Sequence, residues 1–140
     1  MFGTNDLDRW ASALLPYPFL GVVPRNNLPS LYPRHLPSGL IHNTDAYTLP
    51  GTHWVCAYLR KNGTGEIFDP LGLTPHHKLA TWMSTHCPRG WTYNTVPVQP
   101  FYSTLCGGYC LYYLYYRNRD IHGSQAQFVK RWFYTPNVLN

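Results

Sequence analysis

Residues 98–117 read VQPFYSTLCGGYCLYYLYYR, and the rest of the chain is organised around this stretch. From Tyr109 to Tyr116 it carries neither proline nor charge, which predicts a buried helix of two or more turns. Cys106 then lies at or just before the first turn, followed by two glycines. Unpaired N–H groups and the positive end of the helix dipole favour a thiolate there, so Cys106 is a candidate nucleophile.

Gln99 lies seven residues before Cys106 and has a side-chain amide that donates hydrogen bonds. It is therefore a candidate for stabilising an oxyanion beside the thiol. The alternative is structural, because a cysteine beside an apolar helix is more often a small buried hydrophobe than a nucleophile. The choice depends on whether the chain also supplies a base and a group that orients the base.

Both groups are found upstream, in two short β-rich segments joined by a turn. His53 opens the first segment, and Asp69 closes the second. The sequence NGTG at Asn62–Gly65 is a strong hairpin signal, so the two segments are predicted to pair antiparallel. That pairing places His53 and Asp69 on neighbouring strands, a few residues out of direct opposition, where the carboxylate can orient the imidazole. Taken singly, a histidine such as His53 is more often a surface residue at a strand end, and an aspartate before proline such as Asp69 more often forms a turn.

The chain resembles the adenovirus endopeptidase (adenain) family and its viral and transposon relatives, whose wider clan includes the SUMO-deconjugating proteases. The resemblance depends on the order and spacing of four motifs: His53-Trp54, Phe68-Asp69-Pro70-Leu71-Gly72, Gln99 and Cys106-Gly107. Further likeness at Tyr17-Pro18-Phe19-Leu20-Gly21 and Asn43-Thr44 extends it over residues 5–118.

In that family the histidine is the general base, the acid orients it, the glutamine supplies the oxyanion hole and the cysteine attacks the peptide carbonyl. The resemblance implies these roles for His53, Asp69, Gln99 and Cys106, although adenovirus enzymes usually have Glu where this chain has Asp69. It also implies an α+β fold: a small mixed or antiparallel β-sheet flanked by helices, with the nucleophile at the N-terminus of a central buried helix.

The activity implied by the resemblance is that of a thiol endopeptidase. Its expected substrates are structural precursor proteins of a virus or mobile element, processed during particle maturation. Two alternatives remain: a deconjugase acting on the tails of ubiquitin-like proteins, and a catalytically silent binding module that keeps the same fold.

The resemblance further implies regulation by a peptide and by DNA. In adenain an activating peptide is attached by a disulfide to a cysteine eleven residues before the glutamine, and here Cys87 precedes Gln99 by twelve. We therefore expect Cys87 to be accessible at an unpaired sheet edge, where a peptide can add a strand beside residues 91–96. The alternative is a buried or idle thiol. DNA is expected to bind non-specifically to a basic cluster formed by Arg117, Arg119, Lys130 and Arg131.

Composition fits a single domain over residues 1–140, a minimal form shorter than adenain after the nucleophile helix. Charged residues make up 12% and aromatic residues 16%, which is typical of a packed globule. The formal charge of +5 suits an acidic partner, although scattered basic residues also serve solubility. No signal-peptide pattern is present, and the apolar run at 105–116 is too short for a bilayer. We expect a location in the virion and the host nucleus or cytoplasm, without secretion or membrane insertion.

Local patterns predict the remaining elements. Helices are expected at 5–15, 75–84 and 124–133, and strands at 19–23, 40–44, 54–61, 66–69 and 91–96. Four prolines make 24–38 a loop, and the second helix is expected to bury Leu79, Trp82 and Met83. The four cysteines form no CxxC pair, so neither a disulfide framework nor a zinc site is predicted. The expected chemistry requires no metal or other cofactor.

Overall fold

The structure is a computed structural model that describes residues 4–44, 53–98 and 106–134, with their side chains except those at positions 4, 5, 25 and 106. Its centre is a five-stranded sheet whose strands stand in the order of the chain. The two inner pairings are antiparallel and the two outer pairings are parallel. The strands are β1 (Phe19–Pro24), β2 (Ser38–Asn43), β3 (Trp54–Leu59), β4 (Gly65–Phe68) and β5 (Trp91–Tyr93).

Helices cover both faces of the sheet. One face carries α1 (Thr4–Leu14), α3 (Cys106–Arg119) and α4 (Gln125–Phe133), and the other carries α2 (His77–His86) and a short 3-10 helix, Arg25–Ser30. None of the helices in the described ranges combines the length and apolarity that a bilayer-spanning helix needs.

Strand β3 is buried on both faces, which explains why its sequence is almost continuously apolar. Successive side chains of a strand point to opposite faces. Cys56 and Tyr58 accordingly belong to the core beneath α3, whereas Ala57 and Leu59 belong to the core beneath α2. Strand β3 therefore packs against the helices on both faces of the sheet.

A buried ion pair fixes α3 on the sheet. Arg117, near the end of α3 and fully buried, donates from Nε and Nη2 to the two carboxylate oxygens of Glu66 on β4, at 3.0 and 2.8 Å. The hydroxyl of Tyr113 donates to the same carboxylate, and Arg60 approaches it at 2.6 Å. Burial alone would raise the pKa of Glu66, but hydrogen bonds from Arg117 and Tyr113 and the neighbouring positive charges hold it below its ordinary value. Glu66 is therefore ionised and links β4 to α3.

Helix α4 closes the same face. It begins with a capping box at Ser124, and the Nε2 of Gln125 donates to the carbonyl oxygen of Ile67 on β4 at 2.8 Å. Phe128 packs edge-on against Tyr113, with ring centroids 5.2 Å apart. The last helix is thus bonded to the central sheet as well as packed on α3.

The predicted α+β architecture is confirmed, since a mixed sheet is flanked by helices and α3 is its central buried helix. The antiparallel hairpin around Asn62–Gly65 is confirmed by the β3–β4 register. The helices predicted at 5–15, 75–84 and 124–133 correspond to α1, α2 and α4. The expected buried face of α2 is also confirmed: Leu79, Trp82 and Met83.

Several local predictions differ from the structure, and among the strands β2 begins at Ser38, two residues early, and β3 ends at Leu59, two residues early. Residues 24–38 contain a 3-10 helix and are not loop throughout. Helix α2 begins two residues later than predicted, because His76 caps it by accepting a hydrogen bond from the N–H of Lys78 at 3.1 Å. Strand β5 ends three residues early, because the side chain of Asn94 bonds to the backbone of Asp69.

Candidate active site

His53 and Asp69 meet at one end of the sheet. His53 directly precedes β3, and Asp69 directly follows β4. The register pairs Cys56 with Phe68, and its continuation sets Asp69 across from Val55, two residues from His53. The predicted strand placement is thus confirmed. His53 Nε2 lies 2.9 Å from Asp69 Oδ1, with 18% of the histidine side chain and 7% of the aspartate side chain exposed.

The turn after β4 holds the Asp69 carboxylate in place. Asp69 Oδ1 accepts a hydrogen bond from the N–H of Leu71 at 2.8 Å, which closes an Asx turn through Pro70. The N–H of Gly72 donates to the carbonyl of Asp69 at 2.8 Å, and Gly72 has a φ of +68°. A β-carbon at Gly72 would lie 2.8 Å from the backbone nitrogen of Pro97, so this turn requires glycine.

Asn94 is a buried positioning residue that sequence reasoning missed. Its Oδ1 accepts a hydrogen bond from the N–H of Asp69 at 2.8 Å, and its Nδ2 donates to the carbonyl oxygen of Asp69 at 2.6 Å. Both polar groups of the Asn94 side chain therefore form hydrogen bonds with the backbone of Asp69. The sequence signal was weak, because nothing local points an asparagine toward a residue 25 positions away.

Helix α3 begins at Cys106, as predicted, and is tied to β3 beside His53. The Cys110 thiol donates to the carbonyl oxygen of Trp54 at 3.4 Å, and Trp54 directly follows His53. Because residues i and i+4 share a helix face, position 106 lies one turn before Cys110 on the face that meets this strand. Cys110 is thus a second anchor of the site that sequence reasoning did not identify.

Gln99 and the side chain of Cys106 lie outside the described part of the chain. The contact between the Cys106 thiol and the His53 ring therefore stays a prediction. The contact between the Gln99 amide and an oxyanion formed beside Cys106 also stays a prediction. What the structure brings together is His53, Asp69 and the first turn of α3.

The predicted accessibility of Cys87 is wrong. Cys87 caps the end of α2 and is 3% exposed, because the last turn of this helix packs onto β4. Its sulfur lies 2.6 Å from the point where a β-carbon on Gly65 would stand. Burial raises the pKa of the Cys87 thiol to about 11. A disulfide with a peptide would require this end of α2 to move.

One member of the predicted basic cluster, Arg117, is not exposed. Arg117 is fully buried, and its charge is compensated by the carboxylate of Glu66. Arg131 is paired with Asp120 at 3.0 Å. Arg119 lies over a tyrosine ring, 5.1 Å from its centroid, and Lys130 is exposed on α4. Arg117 is therefore not available to DNA, and binding of DNA by Arg119, Lys130 and Arg131 stays a prediction.

Within 4–44, 53–98 and 106–134, no group of three or more His, Cys, Asp or Glu side chains is arranged to hold a metal ion. The cysteines with described side chains are buried and form no disulfide with one another: Cys56, Cys87 and Cys110.

No protein-family model and no curated protein matches the chain. Among solved structures, the fold is similar to the central domain of the uncharacterized Lpg1148 protein from Legionella pneumophila. The TM-score is 0.51 and the identity 16%, over 94% of this chain and 83% of that chain. At this identity the likeness concerns the fold alone. Two crystal structures of the ASFV pS273R protease are also similar, with a TM-score of 0.47 and identities of 26% and 24% over 66% of this chain. The aligned part spans 37% and 36% of those protease chains.

Proposed function

We propose that this chain is a cysteine endopeptidase in which Cys106 is the nucleophile, His53 the general base and Asp69 the group that orients the base. The observation that carries the proposal is the 2.9 Å contact between His53 Nε2 and Asp69 Oδ1 at adjacent strand ends. A carboxylate on one ring nitrogen selects the tautomer and stabilises the imidazolium that forms when the other nitrogen takes a proton. We assign that other nitrogen, Nδ1, to the Cys106 thiol.

Cys106 suits the nucleophile role better than the other cysteines do. Those three are buried, and none begins a helix. Cys106 is the first residue of α3, where unpaired N–H groups and the helix dipole lower the pKa of a thiol. The bond from Cys110 to Trp54 holds that helix face beside the residue that follows His53.

The proposed reaction follows from these roles. His53 Nδ1 takes the thiol proton, and the sulfur of Cys106 bonds to the peptide carbonyl carbon, whose oxygen becomes an oxyanion. The Gln99 amide and a backbone N–H at the helix start donate to that oxyanion. The imidazolium then protonates the leaving amine as the C–N bond breaks, which leaves a thioester. Water hydrolyses the thioester with His53 again as base, while Asp69 holds the ring through both steps.

For the substrate class, we propose structural precursor proteins of a virus or mobile element, cleaved during particle maturation. This part of the proposal is supported by the adenain-like order and spacing of the motifs at 53–54, 68–72 and 99–107. The competing substrate for the same chemistry is the tail of a ubiquitin-like protein. A peptide or DNA activator also belongs to the adenain pattern, but Cys87 is buried, and so is Arg117, one of the four basic residues expected to contact DNA.

Alkylation by iodoacetamide tests the nucleophile without a known substrate. At pH 6.5, Cys106 should react at least about tenfold faster than an ordinary thiol of pKa about 8.5. Cys87, buried and with a pKa of about 11, should stay unlabelled over the same time and serves as the internal control. His53→Ala should slow the labelling of Cys106 to the ordinary rate, as read by mass spectrometry of each cysteine-containing peptide. Equal labelling of Cys106 in both proteins would refute the assigned base.

Hydrolysis itself is measured on a denatured mixture of proteins, with the cleavage sites identified by mass spectrometry. Cys106→Ala should abolish cleavage while its circular dichroism spectrum stays unchanged. Gln99→Ala should lower the rate by about 10²–10³, the usual effect of one oxyanion donor. Cleavage by Cys106→Ala within tenfold of wild type would remove Cys106 from the nucleophile role. Cleavage confined to a C-terminal extension on a folded ubiquitin-like protein would assign the chain to the deconjugases instead.

A further inference from the structure

A cavity of about 860 Å³ lies at the other end of the sheet from His53 and Asp69. We name it the hairpin cavity, because the β3–β4 turn forms one wall. Most of its lining comes from segments 58–66, 89–92 and 117–125. Arg60 at its rim is seven residues from His53 along β3, so the two sites are about 20 Å apart at a rise of about 3.3 Å per residue. The hairpin cavity is therefore separate from the candidate active site.

The lining of the hairpin cavity is strongly cationic. Four of the chain's 11 basic residues line it, but only one of its six acidic residues, Glu66. Arg117 and Arg60 both donate to that carboxylate. Four positive charges against one negative charge leave the lining with a formal charge of +3, and two of its cations, Lys61 and Arg89, lie outside this ion-pair network.

Two of these cations face the cavity from exposed positions. Lys61 and Arg89 are both exposed, and neither takes part in an ion pair within the described ranges. Arg89 is also bonded to the hairpin turn, because its N–H donates to the carbonyl of Gly63 at 3.0 Å and its Nη1 donates to the carbonyl of Asn62 at 3.4 Å. A cation that is ordered before a ligand arrives loses little freedom on binding.

We propose that the hairpin cavity binds a small molecule carrying several phosphate groups. Arginine and lysine side chains are the usual protein partners of phosphate oxygens. The volume falls within the range of about 300–1,000 Å³ that is typical of small-molecule sites. Trp91 and Ile121 add apolar wall for the carbon part of such a ligand.

Binding is measured by titrating the full chain with tripolyphosphate and with adenosine triphosphate, in EDTA and at matched ionic strength. Calorimetry should show saturable binding of one molecule per chain. The double variant Lys61→Ala/Arg89→Ala should weaken it by about a hundredfold, or about tenfold for each cation removed. The matched control Arg34→Ala/Lys130→Ala removes two exposed cations elsewhere and should change the dissociation constant less than threefold.

Trp91 gives a readout confined to this cavity. Ligand should change the tryptophan fluorescence of the wild type, and Trp91→Phe should lose most of that change while calorimetry still shows binding. Thermal unfolding without ligand checks that each variant is folded. If Arg89→Ala impairs folding, Lys61→Glu should weaken binding by tenfold or more.

Three results would overturn the proposal: no saturable binding, equal weakening by both double variants, or a DNA duplex that binds and is not displaced by tripolyphosphate. The proposal is independent of the catalytic one, because none of these measurements uses Cys106, His53 or Asp69.

Discussion

The Glu66–Arg117 pair predicts a large loss of stability when only one partner is removed. Glu66→Gln keeps the shape of the side chain but leaves a fully buried guanidinium without a counter-charge. Breaking a buried pair in this way typically costs about 3–5 kcal/mol. Arg117 keeps three hydrogen bonds to carbonyls of the α3–α4 turn, so we expect a loss at the lower end, about 3 kcal/mol. That is a large share of the roughly 5–15 kcal/mol that stabilises a typical domain.

Two further variants make the test specific: one changes the partly exposed Arg60, and the other removes both buried charges. Arg60→Gln removes a cation from the same carboxylate, but its side chain is 20% exposed and partly screened, so about 1 kcal/mol or less should be lost. Glu66→Gln/Arg117→Met removes both buried charges. Its loss should be smaller than the sum of the two single losses by about 2 kcal/mol.

Urea unfolding followed by circular dichroism gives the free energy of unfolding and the m-value of each protein. The m-values should agree, so that differences in midpoint report stability alone. If Glu66→Gln loses no more than Arg60→Gln, or if the double variant equals the sum of the singles, the buried pair is not what holds α3 on β4.

Three further outcomes are expected. Asn94→Ala should lower kcat/KM by tenfold or more with little change in KM, because it releases the backbone of Asp69; an unchanged kcat/KM for a cleaved peptide would contradict this. Gly72→Ala should cost about 2–4 kcal/mol in urea unfolding, since it combines a positive φ of +68° with a clash against backbone at 97. The pKa of Glu66 is lower in the folded protein than in the unfolded chain. Ionised Glu66 therefore stabilises the fold at pH values above the unfolded pKa, and this contribution is lost as the pH falls through the folded pKa. Stability should therefore fall as the pH drops below the ordinary glutamate range, and less steeply in Glu66→Gln than in wild type.

Features set by neighbouring residues were predictable from the sequence. The turn at Asn62–Gly65 fixes the pairing of β3 and β4, and that pairing alone brings His53 toward Asp69. The glycines and apolar run after Cys106 likewise indicate a helix start.

Features set by distant contacts were not predictable. A cation near a helix end resembles a surface residue, and only the fold brings Arg117 to a carboxylate 51 positions away. Cys87, between a helix and a proline, resembles a loop residue until α2 packs its last turn on β4. Asn94 could not be assigned to Asp69 for the same reason, because its partner follows the neighbouring strand, 25 residues earlier in the chain.

The order of the strands determines which parts of the fold can form during synthesis. Each strand of the sheet pairs with the one synthesised just before it, so pairing can proceed while the ribosome is still adding residues. The face that carries α3 cannot be completed in this way. Gln125 and Phe128, which bond and pack onto β4 and Tyr113, are among the last described residues to be made. The layer of helices over this face is therefore complete only after translation has passed α4.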